Sequence, residues 1–160
     1  MSQTSEIDQQ ETAHAKMAAA LAKDGVAMIT PRILLADDQE EMLQTLVEML
    51  EGEFQIVGTA ENGMRVLELT PRLAPDIVVL DISMPVLNGF EAALRLKEQC
   101  LAARVVFLTA HEDTDLVEAA RSAGALGYVV KSCLATDLVP ALWQALAGKT
   151  FVSPSLSNSE

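Results

Sequence analysis

The chain has 160 residues, half of them apolar, and its 23 acidic against 11 basic residues leave a net charge of −12 at pH 7. That length suits one domain with a margin, and an acidic surface with scattered bases excludes direct binding to duplex DNA and discourages docking on anionic membranes. No apolar run reaches the roughly 18 residues of a membrane span, and the start, MSQTSEIDQQE, is unlike a secretory signal, so the expected location is the cytoplasm.

Residues 1–30 form an N-terminal extension, rich in polar residues and Ala, with a short helix expected around Thr12 to Lys23. Ala13, Met17, Ala20 and Leu21 share one helical face, so the segment either docks through that face or stays disordered. Thr30-Pro31 ends the extension.

From residue 32 apolar runs alternate with helical-period stretches. Strands are expected near 32–36, 54–59, 76–81, 104–108 and 126–131, and helices near 39–51, 62–72, 89–99, 113–123 and 135–148. In the first helix Met42, Leu43, Leu46, Met49 and Leu50 keep the spacing of one buried face, while Gly52 and Gly124 sit where helices should stop. Five βα units imply a doubly wound parallel sheet with helices on both faces. From Gly148 onward (GKTFVSPSLSNSE) periodicity is lost and Ser and Pro increase, so residues 151–160 read as a tail or the start of a linker. Cys100 and Cys133 lack metal-ligand spacing and read as reduced thiols.

The runs RILLA, DIVVL, RVVFL and LGYVV lead into Asp37-Asp38, Asp81, Thr109 and Lys131. In a doubly wound sheet the carboxyl ends of the strands converge on one crevice. Carboxylates within about 5 Å of one another repel by roughly 3 kcal/mol per pair at an effective dielectric near 20. Protonation or a divalent cation relieves this, and hard oxygen ligands suit Mg²⁺. Lys131 adds a positive charge, and the set fits phosphoryl transfer, with Asp81 as the nucleophile that becomes an acyl phosphate. Thr109 could hydrogen-bond a phosphoryl oxygen and Lys131 ion-pair with another. The loop ISMPVLNG after Asp81 needs a permissive residue such as Gly89 to turn back into a helix.

The motifs LLADDQ, VVLDISMPVLNGFE, VVFLTAH and GYVVKS, in that order over residues 32–150, resemble the receiver domain of bacterial two-component response regulators. The resemblance implies a flavodoxin/CheY-like (βα)5 fold, a five-stranded sheet of order 2-1-3-4-5 spanning residues 31–150. It implies that Asp81 accepts a phosphoryl group from a histidine kinase or phosphotransfer protein. Asp37, Asp38, Asp81 and the backbone carbonyl of Ser83 would hold Mg²⁺. Thr109 and Lys131 would bind the phosphate, and Tyr128 would be the aromatic that swings inward with Thr109 on activation. Ser83 and His111 would tune hydrolysis of the acyl phosphate, and the small Ala110 leaves room for the phosphoryl group. The family commonly has a proline after the lysine, joined by a cis bond; Ser132 stands here, which leaves the geometry of that turn open. Ser132 and the closing ALAGKTFVSPSLS are similar to receivers of the NarL/FixJ type, which carry DNA-binding output domains.

Blander readings stand beside these. Asp37 and Asp38 could cap the first helix, and Lys131 could be an ordinary snorkelling lysine. Trp143 is expected to anchor the last helix by packing. A partner surface, through which receivers often dimerise, would use the fourth helix, fifth strand and fifth helix, with Val117, Ala120, Leu126 and Leu138 among its apolar contacts. The expected function is a phosphorylation-controlled switch, not a metabolic enzyme. The alternatives are the receiver portion of a longer DNA-binding transcriptional regulator, a Mg²⁺-dependent aspartate-nucleophile phosphohydrolase and a pseudo-receiver that only binds partners. Ser83 stands where haloacid-dehalogenase-type hydrolases carry their second acid, which argues against the hydrolase.

Overall fold

The computed structural model describes residues 30–99, 102–110 and 114–157. The N-terminal helix expected around Thr12, together with Cys100 and His111, lies outside the described residues. Residues from Pro31 onward form one compact unit.

In chain order the elements are β1 (Arg32–Ala36), α1 (Glu40–Leu50), β2 (Gln55–Ala60), α2 (Gly63–Leu73), β3 (Ile77–Asp81) and α3 (Gly89–Glu98). They continue with β4 (Arg104–Thr109), α4 (Thr114–Ser122), β5 (Gly127–Val130), a 3-10 turn (Lys131–Cys133), α5 (Leu134–Leu146), β6 (Phe151–Val152) and the short α6 (Pro154–Ser157). Each expected strand and helix from 32 to 148 is present, its ends shifted by at most two residues.

The sheet is parallel with order β2-β1-β3-β4-β5-β6. The order 2-1-3-4-5 expected for the first five strands holds, but the sheet has six strands rather than five. Phe151–Val152 add to the outer edge of β5, Gly127 beside Phe151 and Tyr128 beside Val152. Aperiodic sequence here forms a strand because the β5 edge offers unpaired backbone groups.

β3 runs through the middle and is buried along its whole length, as continuous apolar runs in parallel sheets require. Leu43, Leu46 and Leu50 of α1 are buried, as its spacing predicts. Gly52 and Gly124 take left-handed φ of 95° and 89° where their helices end. The N-caps of α2 and α3 are Asn62 and Asn88, whose side chains accept from the N–H groups of Arg65 (2.8 Å) and Glu91 (2.9 Å).

The helix α5 is pinned as expected by Trp143, whose Nε1–H donates to Glu53 Oε2 at 2.9 Å and whose ring lies 5.2 Å from that of Phe54. One expectation fails. Val117, Ala120 and Leu138 are buried within the domain, because α4 and α5 turn these side chains onto the sheet. These three are core, whereas Leu126, the fourth expected contact, stays half-buried.

Candidate functional site

Four neighbouring strands place the chemistry. Asp37 follows β1, Asp81 ends β3, Thr109 ends β4 and Lys131 follows β5. Strand register puts Asp81 beside Leu108 and Thr109 beside Val130, so these residues meet at one end of the sheet. Asp37, Asp81 and Thr109 are buried, while Asp38 is exposed.

The carboxylates of Asp37, Asp38 and Asp81 each offer an oxygen within 4.8 Å of the others. Lys131 Nζ donates to Asp37 Oδ2 at 2.8 Å and lies 3.3 Å from Asp81 Oδ2. Asp37 is held from both sides: its N–H donates to Ala60 O at 3.0 Å, and its Oδ1 accepts from the N–H of Gln39 at 2.9 Å. The N-cap of α1 is Gln39, with no side-chain cap of its own, so neither aspartate is the N-cap residue. The lysine is no ordinary surface residue either, since its side chain is only 16% exposed. Asp37 and Asp38 open on a cleft of about 610 Å³ whose walls also include Glu40, Glu61 and Arg65.

Electrostatics follow from this packing. Burial, then the charge of Asp37, raises the Asp81 carboxyl from 3.8 to about 6, against the lowering effects of Lys131 and the Ser83 N–H. Burial pulls the Lys131 ammonium down, but its hydrogen bond to Asp37 and the charges of Asp81 and Asp37 outweigh that and leave it above its ordinary value. At pH 7 Asp81 is therefore mostly carboxylate and Lys131 cationic.

The loop after Asp81 is built on close approach. A Cβ on Gly89 would lie 2.5 Å from Asp81 O and 3.0 Å from Ile82 Cα, and its N–H donates to Ile82 O at 2.9 Å. The glycine is needed there for space; the left-handed residue in this loop is the exposed Val86, at φ 71°. Ser83 donates its N–H to Asp81 Oδ1 at 3.3 Å. All described peptide bonds are trans, including Lys131–Ser132. Tyr128 is buried and faces the same side of the sheet as Phe107 and Val130.

Residue 153 escaped the sequence reading. Ser153 is fully buried, and its Oγ accepts from the Val130 N–H at 3.0 Å. The signal for it is the apolar pair Phe151-Val152 followed by Ser-Pro.

The family model described as "Response regulator receiver domain" matches residues 33–142. The chain belongs to the response regulator receiver family. This receiver is 39% identical over 125 residues to "Transcriptional regulatory protein PdtaR" of Mycobacterium tuberculosis, covering 78% of this chain and 60% of that protein. It is 38% identical over 131 residues to "Nitrate/nitrite response regulator protein NarL" of Escherichia coli, covering 79% and 60%. The receiver thus spans about 60% of the length of these relatives. In structure it is similar to a LuxR-family two-component response regulator from Aurantimonas sp. SI85-9A1, with TM-score 0.77, 32% identity, and 81% and 94% of the two chains covered. Among the described residues no helix is long and apolar enough to cross a membrane.

Proposed function

We propose that Asp81 is the phosphoacceptor of a Mg²⁺-dependent phosphorelay switch that works in the cytoplasm, with residues 31–150 as the receiver domain. The donor is a histidine kinase or a phosphotransfer protein. The observation that carries this reading is the packing of Asp81 among two further carboxylates and the Lys131 ammonium.

The donor set fits a divalent cation: three hard oxygen ligands with one exposed side chain leave room for waters and a phosphoryl oxygen. Asp37, Asp38, Asp81 and the Ser83 carbonyl would hold Mg²⁺. When bound, the ion neutralises charge on the transferred group. In the transfer, one Asp81 carboxylate oxygen forms an O–P bond as the donor's P–N bond breaks, and the electron pair leaves with the imidazole nitrogen. Lys131, already 3.3 Å from Asp81, pairs with a phosphoryl oxygen. The Thr109 hydroxyl binds another, and its movement with Tyr128 shifts the population between two states. The chain signals by this shift and turns over no external substrate.

Incubation with acetyl phosphate and Mg²⁺ tests this: intact mass should show one added phosphoryl group, lost in Asp81→Asn. Steady turnover of a phosphomonoester without a labelled protein would favour the hydrolase reading instead. A second reading is compatible with the first. PdtaR, named as a transcriptional regulatory protein, and NarL both extend well beyond the matched region, which favours this receiver being the input part of a longer regulator whose output domain supplies the DNA contact.

A further inference from the structure

β6 lies beyond the residues matched by the family model, 33–142, yet it is tied to the strand that carries the switch. On the outer edge of β5 the Phe151 N–H donates to Leu126 O at 2.8 Å and the Ser153 N–H to Tyr128 O at 3.0 Å. The next step of the ladder would use the Ser153 carbonyl, but the chain turns into Pro154. The Ser153 hydroxyl takes its place and accepts from the Val130 N–H at 3.0 Å. The ladder is thereby extended to the residue just before Lys131, whose Nζ lies between Asp37 and Asp81.

The side chains say the same. Tyr128 and Val152 are register partners, and Val152 packs against the same core cluster as Tyr128. Val117, Ala120 and Arg121 of α4 share one narrow cleft with Tyr128, Phe151 and Val152. Docked β6 thus lies beside Tyr128 while the ring is in its buried position.

We propose that Phe151–Ser153 is a strap that positions the end of β5, holding Tyr128 inward and Lys131 in reach of Asp81. Docking of the strap and occupancy of the phosphoryl site then reinforce each other, because each favours the same state. Ser153 is the positioning residue, acting through Val130. In a longer regulator the strap would carry the state of the site directly into whatever follows residue 157. This coupling rests on the phosphoacceptor reading above.

The test uses the full chain, its Ser153→Ala variant and the hydroxyl-retaining Ser153→Thr. Beryllofluoride with Mg²⁺ serves as the phosphoryl stand-in, its binding read by fluorine NMR and the strap by amide hydrogen exchange. Expected are slower exchange at Val130 and Ser153 on beryllofluoride binding, and an affinity about fivefold weaker in Ser153→Ala, restored in Ser153→Thr. Equal affinity in wild type and Ser153→Ala, with faster Val130 exchange in the variant, overturns the coupling alone and leaves the strap merely structural. A wild type that takes up no beryllofluoride overturns the phosphoacceptor reading, and the coupling with it.

Discussion

Replacing Asp81 with Asn should stabilise this protein when Mg²⁺ is absent. The Asp81 carboxyl titrates near 6 in the folded chain and at 3.8 when unperturbed, because burial and Asp37 disfavour its charge. A group whose folded value is raised binds more protons folded than unfolded between the two values, so stability falls as pH rises through that window. Its contribution is fully present below about pH 4 and lost by about pH 6. A shift of about two units corresponds to at most about 3 kcal/mol. The amide of Asn has nearly the same shape and does not titrate. The variant should therefore exceed the wild type by up to about 3 kcal/mol at pH 7, with the gap closing toward pH 4. Urea unfolding from pH 4 to 8 with a chelator, followed by the single Trp143, measures it. Ionisable groups remote from the site behave alike in both proteins and cancel in the difference. Added Mg²⁺ should narrow the gap, since it favours the wild-type carboxylate. A variant less stable than the wild type at pH 7, or a gap that does not close in acid, would refute the reasoning.

Lys131→Met removes the cation between Asp37 and Asp81, so the Asp81 titration, followed by carboxyl NMR, should move upward and labelling by acetyl phosphate should slow. Gly89→Ala puts a methyl group 2.5 Å from the Asp81 carbonyl; it should lower stability by about 1–3 kcal/mol in urea unfolding, with phosphorylation falling as the loop shifts. Val86→Asn, at an exposed left-handed position, should raise stability by about 1 kcal/mol and leave labelling unchanged.

The alternation of apolar runs with helical spacing was enough to locate the strands and helices from Arg32 to Leu146, because buried parallel strands leave little room for polar residues. The acids and Lys131 were legible as a site because strand ends in this fold point to one crevice, and the resemblance added their roles. Three things were not legible. Val117, Ala120 and Leu138 read equally well as core or as partner surface, since spacing along a helix marks an apolar face without saying what covers it. The need for Gly89 was seen, but as freedom to turn; a close approach to the Asp81 carbonyl leaves no trace in the sequence, and the strained residue is Val86. β6 has only two residues and no period of its own. It exists because the β5 edge and the Ser153 hydroxyl complete each other, a tertiary effect that local patterning cannot show.

The most direct test of the central claim is to locate the acyl phosphate chemically. After acetyl phosphate and Mg²⁺, borohydride reduction converts a phosphorylated aspartate to homoserine, which mass spectrometry finds in the tryptic peptide Leu73–Arg95. The account predicts homoserine at position 81 and nowhere else. Homoserine at Asp37 or Asp38, or a phosphorylated chain with Asp81 unmodified, would contradict it.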